Sequence, residues 1–154
     1  MIAAMLAMLA AQASEPTPPP PNAANSDYHF RYLNRLDPAQ GWRRTVSGLR
    51  FRKLSGTAAG PRPVATDTVT LHYVGRFIDG TEFDSSISRG EPATFPLNRL
   101  IRGWQEGVPM MSVGDRYEFA IPYNLAYGYA GRGPIPGGAT LVFTIELIAI
   151  APPS

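Results

Sequence analysis

Asn98-Arg99-Leu100-Ile101-Arg102-Gly103-Trp104-Gln105-Glu106-Gly107 decides the fold, because it is one helical segment set among stretches that alternate. Leu100, Ile101 and Trp104 recur at helical spacing, which predicts a short helix over 98–106 with Gly107 placed to end it. On both sides of it the period is two. Val69, Leu71 and Tyr73 alternate with Thr68, Thr70 and His72, and Asp79-Gly80 follows as a two-residue hairpin signal. Tyr117, Phe119 and Ile121 alternate with Arg116, Glu118 and Ala120. In the last strand Leu141, Phe143, Ile145 and Leu147 share one face, opposite Thr144 and Glu146. An exposed strand with Leu49, Phe51 and Lys53 on one side, closed by Ser55-Gly56, precedes these. The expected class is α+β, an antiparallel β-sheet wrapped around one short α-helix.

Toward the N-terminus the organisation changes. Residues 1–13 (MIAAMLAMLAAQA) form an apolar run ending in Ala11-Gln12-Ala13, similar to the h-region and cleavage site of a secretory signal peptide and without its positive n-region. The run is too short for a transmembrane helix of ~20 residues, so no stable membrane insertion is expected after cleavage. A periplasmic or otherwise exported location is the expectation, and the cytoplasm the alternative. Residues 14–26 read as a linker, in which Pro18 to Pro21 favour extended polyproline II. Residues 27–45 read as an N-terminal extension. In it Phe30, Leu33 and Leu36 share a helical face, Asp37-Pro38 ends the run, and Trp42 packs the extension onto the domain of residues 46–152.

Composition removes several classes of function. A chain of 154 residues with 44% hydrophobic and 17% charged residues suits one domain with a sizeable core. A net charge of +2, without aromatic and basic residues interleaved, argues against nucleic acid. The absence of cysteine excludes disulfides, thiolate metal sites and a cysteine nucleophile. His29 and His72 have no acidic residue at ligand spacing and no nucleophile partner, so neither a metal site nor a serine-hydrolase set is expected.

The loops narrow the reading. Leu71-His72-Tyr73-Val74-Gly75, Asp79-Gly80-Thr81-Glu82-Phe83-Asp84-Ser85-Ser86, Ile101 to Gly107, Ala126-Tyr127-Gly128, Ile135-Pro136 and Ala139 to Phe143 occur in the order and at the intervals of one family's signature segments. Together they resemble the FKBP-type prolyl isomerases of bacteria. The resemblance implies a twisted half-barrel around the helix, with an apolar pocket between them. Trp104 would be its floor, and Tyr73, Phe83, Phe95, Leu100, Ile101 and Phe143 its walls. Asp84, Tyr127 and the Ile101 N–H would supply its polar groups, Ile135 would overhang it and Arg89 would brace Asp84. In that family's terms Asp84, Tyr127, Trp104 and Ile101 are the catalytic set, and the remaining residues together with Arg89 bind substrate. No cofactor is implied. Proline-containing polypeptides would be the substrates, macrolide inhibitors candidate ligands, and a monomer the expected state.

Ala93, Leu125, Arg132 and Gly137-Gly138 depart from the family's pattern around the pocket rim, and they leave its floor unchanged. A chaperone or peptide-binding module of the same fold with little catalysis is the alternative function. From alternation alone Tyr73, Phe95 and Phe143 are equally plain core residues. For Asp84 before Ser85-Ser86 a turn or cap residue is the alternative reading, and His72 is expected to point outward to solvent.

Overall fold

The computed structural model describes residues 23–151, with side-chain surroundings from His29 onward. The expected signal peptide and residues 14–22 of the expected linker therefore lie outside the described residues. Helix α1 (Ala23–Asn34) begins inside the stretch read as linker. Pro18 to Pro21 cannot sit in a helix interior, but Ala23 and Ala24 are strong helix formers, so the helix starts just beyond the prolines.

The inward face of α1 is not the one expected. Leu33 is buried, but Phe30 is 64% exposed, and His29 takes the inward position with its Nδ1 accepting the Thr140 N–H at 3.1 Å. Residues 29 and 33 are one turn apart, and Phe30 lies about 100° round from His29. After α1, Asp37 caps a single 3-10 turn (Pro38–Gln40), and Trp42 is buried against Leu33 and Ala120. The Arg52 guanidinium lies 4.9 Å over the Trp42 ring and pairs with Glu118 at 2.8 Å. This cover explains why Ala120, on the outer face by alternation, is fully buried.

Seven strands follow: β1 (Arg43–Arg44), β2 (Arg50–Ser55), β3 (Thr68–Phe77), β4 (Glu82–Ser85), β5 (Ala93–Pro96), β6 (Arg116–Ile121) and β7 (Leu141–Ala151). They form one antiparallel sheet in the order β1-β2-β6-β7-β3-β4, and β5 shares the outer edge of β3 with β4. The α+β expectation of a sheet around a helix holds, with the sheet open rather than closed into a barrel. Inward residues meet in register, Tyr73 opposite Ile145 and Phe119 opposite Phe143. The Asp79-Gly80 hairpin forms with a connection of three residues instead of two. Phe77 N–H donates to Thr81 O, and Gly80 takes the left-handed φ of 92° that closes the turn.

The helix differs from the expected 98–106. After a 3-10 turn (Leu97–Arg99), Leu100 and Ile101 are extended, with ψ of 173° and 152°. Helix α3 (Arg102–Gly107) follows a one-turn α2 (Ser86–Arg89) in chain order. Leu100 and Ile101 are buried because they carry the chain into the core, which helical spacing alone misreads as a helix face. Gly107 is the last residue of α3 but not a left-handed stop. Its φ and ψ are helical (−80°, −43°), and the chain runs on through a 3-10 turn, Val108–Met110. Its role is clearance, since a Cβ there would lie 2.6 Å from Phe119, and one on Gly103 would lie 2.5 Å from Ile121.

Gly107→Ala should therefore lower the stability by about 1–3 kcal/mol through overpacking, although alanine is the better helix former by ~1 kcal/mol. Denaturant unfolding of both proteins measures this, and an unchanged or raised midpoint would contradict the close approach.

Candidate functional site

The site grows out of the contact between α3 and the sheet. Trp104 points from α3 onto β3 and β7, where its ring meets Tyr73 and Phe143 edge-on, each with centroids 5.2 Å away at 79° and 87°. Phe95, set by its pairing with Val69, stands 6.2 Å from Trp104, and Phe83 meets Phe143 at 5.6 Å and 83°. Gly75 makes the last contact possible, because a Cβ there would fall 2.7 Å from Phe83 and 2.8 Å from Phe143. All five rings are at most 7% exposed. Phe77 extends the cluster, its ring 4.9 Å from Phe83. Sequence reading missed it, although it closes the β3 alternation before the hairpin.

The expected polar groups come to the same cluster. Asp84, on β4 opposite Gly75, has its carboxylate almost wholly buried. Tyr73 donates to its Oδ2 at 2.6 Å, and Arg89 donates to its Oδ1 at 2.5 Å and to the Tyr73 hydroxyl at 2.9 Å. The local fold delivers Arg89. Ser85 caps α2 by accepting from the Ser88 N–H, and a single helical turn brings the residue five positions on back to Asp84. A buried carboxylate needs this pairing, and the guanidinium also lies 5.6 Å over the Tyr73 ring.

Burial, reinforced by the hydrogen bond to Asp84, pushes the Tyr73 hydroxyl above the ordinary tyrosine range. Burial does the same at Tyr127, where Arg132 pulls the other way and the Asp84 charge adds to the rise. Tyr127 Oη and Trp104 Nε1 are, among the described residues, the buried side-chain polar atoms without a hydrogen-bond partner. Such atoms are rare in folded proteins.

Leu100 and Ile101 form the step into α3. The Ile101 carbonyl accepts from the N–H groups of Trp104 and Gln105, and Gln105 Nε2 donates to the Leu100 carbonyl at 2.6 Å. The Ile101 N–H donates to no backbone carbonyl among the described residues. Ile135 is buried in the same core cluster as Trp104, on a turn closed by reciprocal hydrogen bonds with Arg132. The apolar and aromatic site residues expected from sequence thus share one buried cluster with Trp104, and Asp84 and Arg89 join it through the Tyr73 hydroxyl. Ser86, quoted in the motif without a role, anchors β3 by accepting the Tyr73 N–H at 2.8 Å. It also holds His72 Nδ1 at 2.9 Å, so His72 is tethered where solvation was expected.

Known proteins are similar to this chain in sequence and in fold. The sequence profile of the FKBP-type peptidyl-prolyl cis-trans isomerases matches residues 60–148. The FKBP-type peptidyl-prolyl cis-trans isomerase FkpA of Aeromonas hydrophila is 50% identical over 123 residues, 80% of this chain and 46% of that protein. The FKBP-type 22 kDa peptidyl-prolyl cis-trans isomerase of Escherichia coli (strain K12) is 48% identical over 78% of this chain and 58% of its own. The chain thus spans about half the length of the curated relatives it matches. Among solved structures, FkpA from Escherichia coli superposes with a TM-score of 0.81 at 38% identity, over 84% of this chain and 61% of that one. The peptidyl-prolyl cis-trans isomerase of Pseudomonas syringae pv. tomato does so at 0.77 and 32%, over 88% and 99%. With the profile running from before β3 into β7, and the ring cluster lying within that span, the chain belongs to the FKBP-type peptidyl-prolyl cis-trans isomerase family.

Proposed function

We propose that the protein accelerates rotation about X-Pro bonds in polypeptides by taking the prolyl segment against the rings around Trp104. One observation carries this reading: the two buried polar atoms without partners, Tyr127 Oη and Trp104 Nε1, belong to the core cluster that holds those rings, whereas the carboxylate of Asp84 is fully engaged.

Uncatalysed rotation faces about 18–20 kcal/mol and takes roughly tens to hundreds of seconds. It breaks no covalent bond, so the site needs no nucleophile or base. In the planar amide the nitrogen lone pair is delocalised into the carbonyl and the group is strongly dipolar. Twisting the bond abolishes that resonance and much of the charge separation. A dry aromatic surface therefore disfavours the planar form relative to the twisted one. Trp104 offers a flat seat for the pyrrolidine ring, Phe83 and Phe143 confine it, and Phe95, Leu100 and Ile135 shape the walls. The Tyr127 hydroxyl and the Ile101 N–H hold the carbonyls that flank the rotating bond, which is positioning rather than proton transfer. Asp84, fixed by Tyr73 and Arg89, presents an oriented negative charge beside the reacting carbonyl.

Proline-containing polypeptides are the proposed substrates, macrolides proposed ligands of the same seat, and a monomer the proposed state. Export is proposed from the apolar run that ends at Ala13.

Exchange spectroscopy by NMR on short X-Pro peptides tests the activity. The wild type should accelerate exchange, and Trp104→Ala should lose about tenfold or more, each ~1.4 kcal/mol being tenfold in rate. An inert wild type would leave only the binding-module alternative, and a Trp104→Ala variant of full activity would remove the site assignment. Tyr127→Phe separates binding from structure. It deletes a hydroxyl whose burial without a partner costs about 1–3 kcal/mol, so stability should hold or rise while acceleration falls. A variant that unfolds more readily would show that the hydroxyl is a structural contact.

The raised pKa values of Tyr73 and Tyr127 keep both hydroxyls protonated beyond the ordinary tyrosine value of 10.0. Acceleration should thus stay level from neutrality up to that pH, and a decline centred below it would refute the hydroxyl assignments. For export, intact mass of the native protein should give a chain starting at Ser14, and a retained leader would reject cleavage after Ala13.

A further inference from the structure

Along the junction of α1 with the domain, beside His29, Leu33 and Thr140, lies a groove of about 660 Å³ that the isomerase reading does not use. Its walls are Phe30 on the helix and Pro122, Tyr123 and Tyr129 on the domain, with Arg44 and Arg50 at one end. The rings of Tyr123 and Tyr129 stack at 4.6 Å and 27°, their hydroxyls joined at 2.7 Å, while Phe30 is 64% and Tyr129 40% exposed. Arg50 carries a like-charge neighbour in Arg44, and no acidic residue lines the groove. Glu106 comes to its rim only as the acceptor of the Ser47 hydroxyl. Aromatic walls that are exposed and rigid recognise extended proline segments, whose ordering cost is low.

The chain carries a segment of that chemistry in the sequence just before α1. Ser14-Glu15-Pro16-Thr17-Pro18-Pro19-Pro20-Pro21-Asn22 enters α1 at Ala23, and Glu15 is the one charged side chain among residues 1–26. Ala23 is about 10 Å along the helix from Phe30 at 1.5 Å per residue. Four prolines at 3.1 Å per residue span about 12 Å, enough to return along that length. We infer that Ser14–Asn22 docks in this groove in cis, its prolines on Phe30, Tyr123 and Tyr129 and Glu15 toward Arg44 and Arg50.

The chain has no cysteine, so a nitroxide on Ser14→Cys in the full chain reports on one place only. Paramagnetic broadening should remove most of the amide signal of Arg44, Ser47 and Arg50 and leave Ile87 and Ile148, outside the groove, untouched. The broadening should persist on dilution and be lost in Tyr129→Ser and in the variant with Pro18 to Pro21 all replaced by serine. Tyr129 and Phe30 are exposed, so their variants fold. Uniform or absent broadening overturns the inference, as does broadening that survives Tyr129→Ser. Broadening that appears only between labelled and unlabelled copies in a mixed sample assigns the groove to a second copy and overturns the arrangement in cis.

Discussion

Helix α3 rests on β6 at a separation that only glycine permits, and the site depends on that contact. Gly103 faces Ile121 and Gly107 faces Phe119, each where a methyl group would collide. Two glycines cost about 1 kcal/mol each in helix propensity, and six residues are far below the ~12–15 at which an isolated helix becomes even marginal. The helix therefore exists through packing. Sitting so low, it brings one indole into edge contact with Tyr73 from β3 and Phe143 from β7, so the floor of the site and the centre of the core are one object.

The polar half of the site follows a different rule. A carboxylate that is almost wholly buried would be costly alone, and the molecule binds it from two directions by Tyr73 and Arg89. The three residues come from β3, β4 and the end of α2, so the ion pair also fixes the short helix to the sheet edge. Charge at the site is thus held still, while Tyr127 Oη and Trp104 Nε1 have no hydrogen-bond partner among the described residues. In the proposed function these fixed and unpaired groups are the ones that meet the substrate.

The long strands β3, β6 and β7 were legible in the sequence because each has one face buried, and alternation records burial directly: Val69, Leu71 and Tyr73, or Leu141, Phe143 and Ile145. β1, β4 and β5, of two to four residues, are too short to show a period and were not read. The helix was legible only in part. Leu100 and Ile101 are as buried as a helix face would make them, yet they are extended, and hydrophobic spacing cannot separate those cases. Gly107 read as a stop signal because glycine marks both helix ends and close approaches, and only the position of Phe119 distinguishes them. In α1 the inward residue is His29 rather than Phe30, since the Thr140 N–H needs an acceptor there and hydropathy does not register such a need. The site residues are separated along the chain by whole strands. Their convergence came from the order of the motifs, and their hydrogen bonds from coordinates alone.

The long ladder between β3 and β7 joins residues 68–77 to residues 141–151, which leave a ribosome only after everything between them. Tyr73 and Phe143 flank the same indole, so a nascent chain lacking β7 has the helix and most of the rings but no wall to close them. Contacts this distant in sequence form late, after their loop-closure entropy has been met. The growing polypeptide thus cannot close the rings around Trp104 before β7 has been made, which makes the order of translation itself a safeguard against premature closure of the cluster.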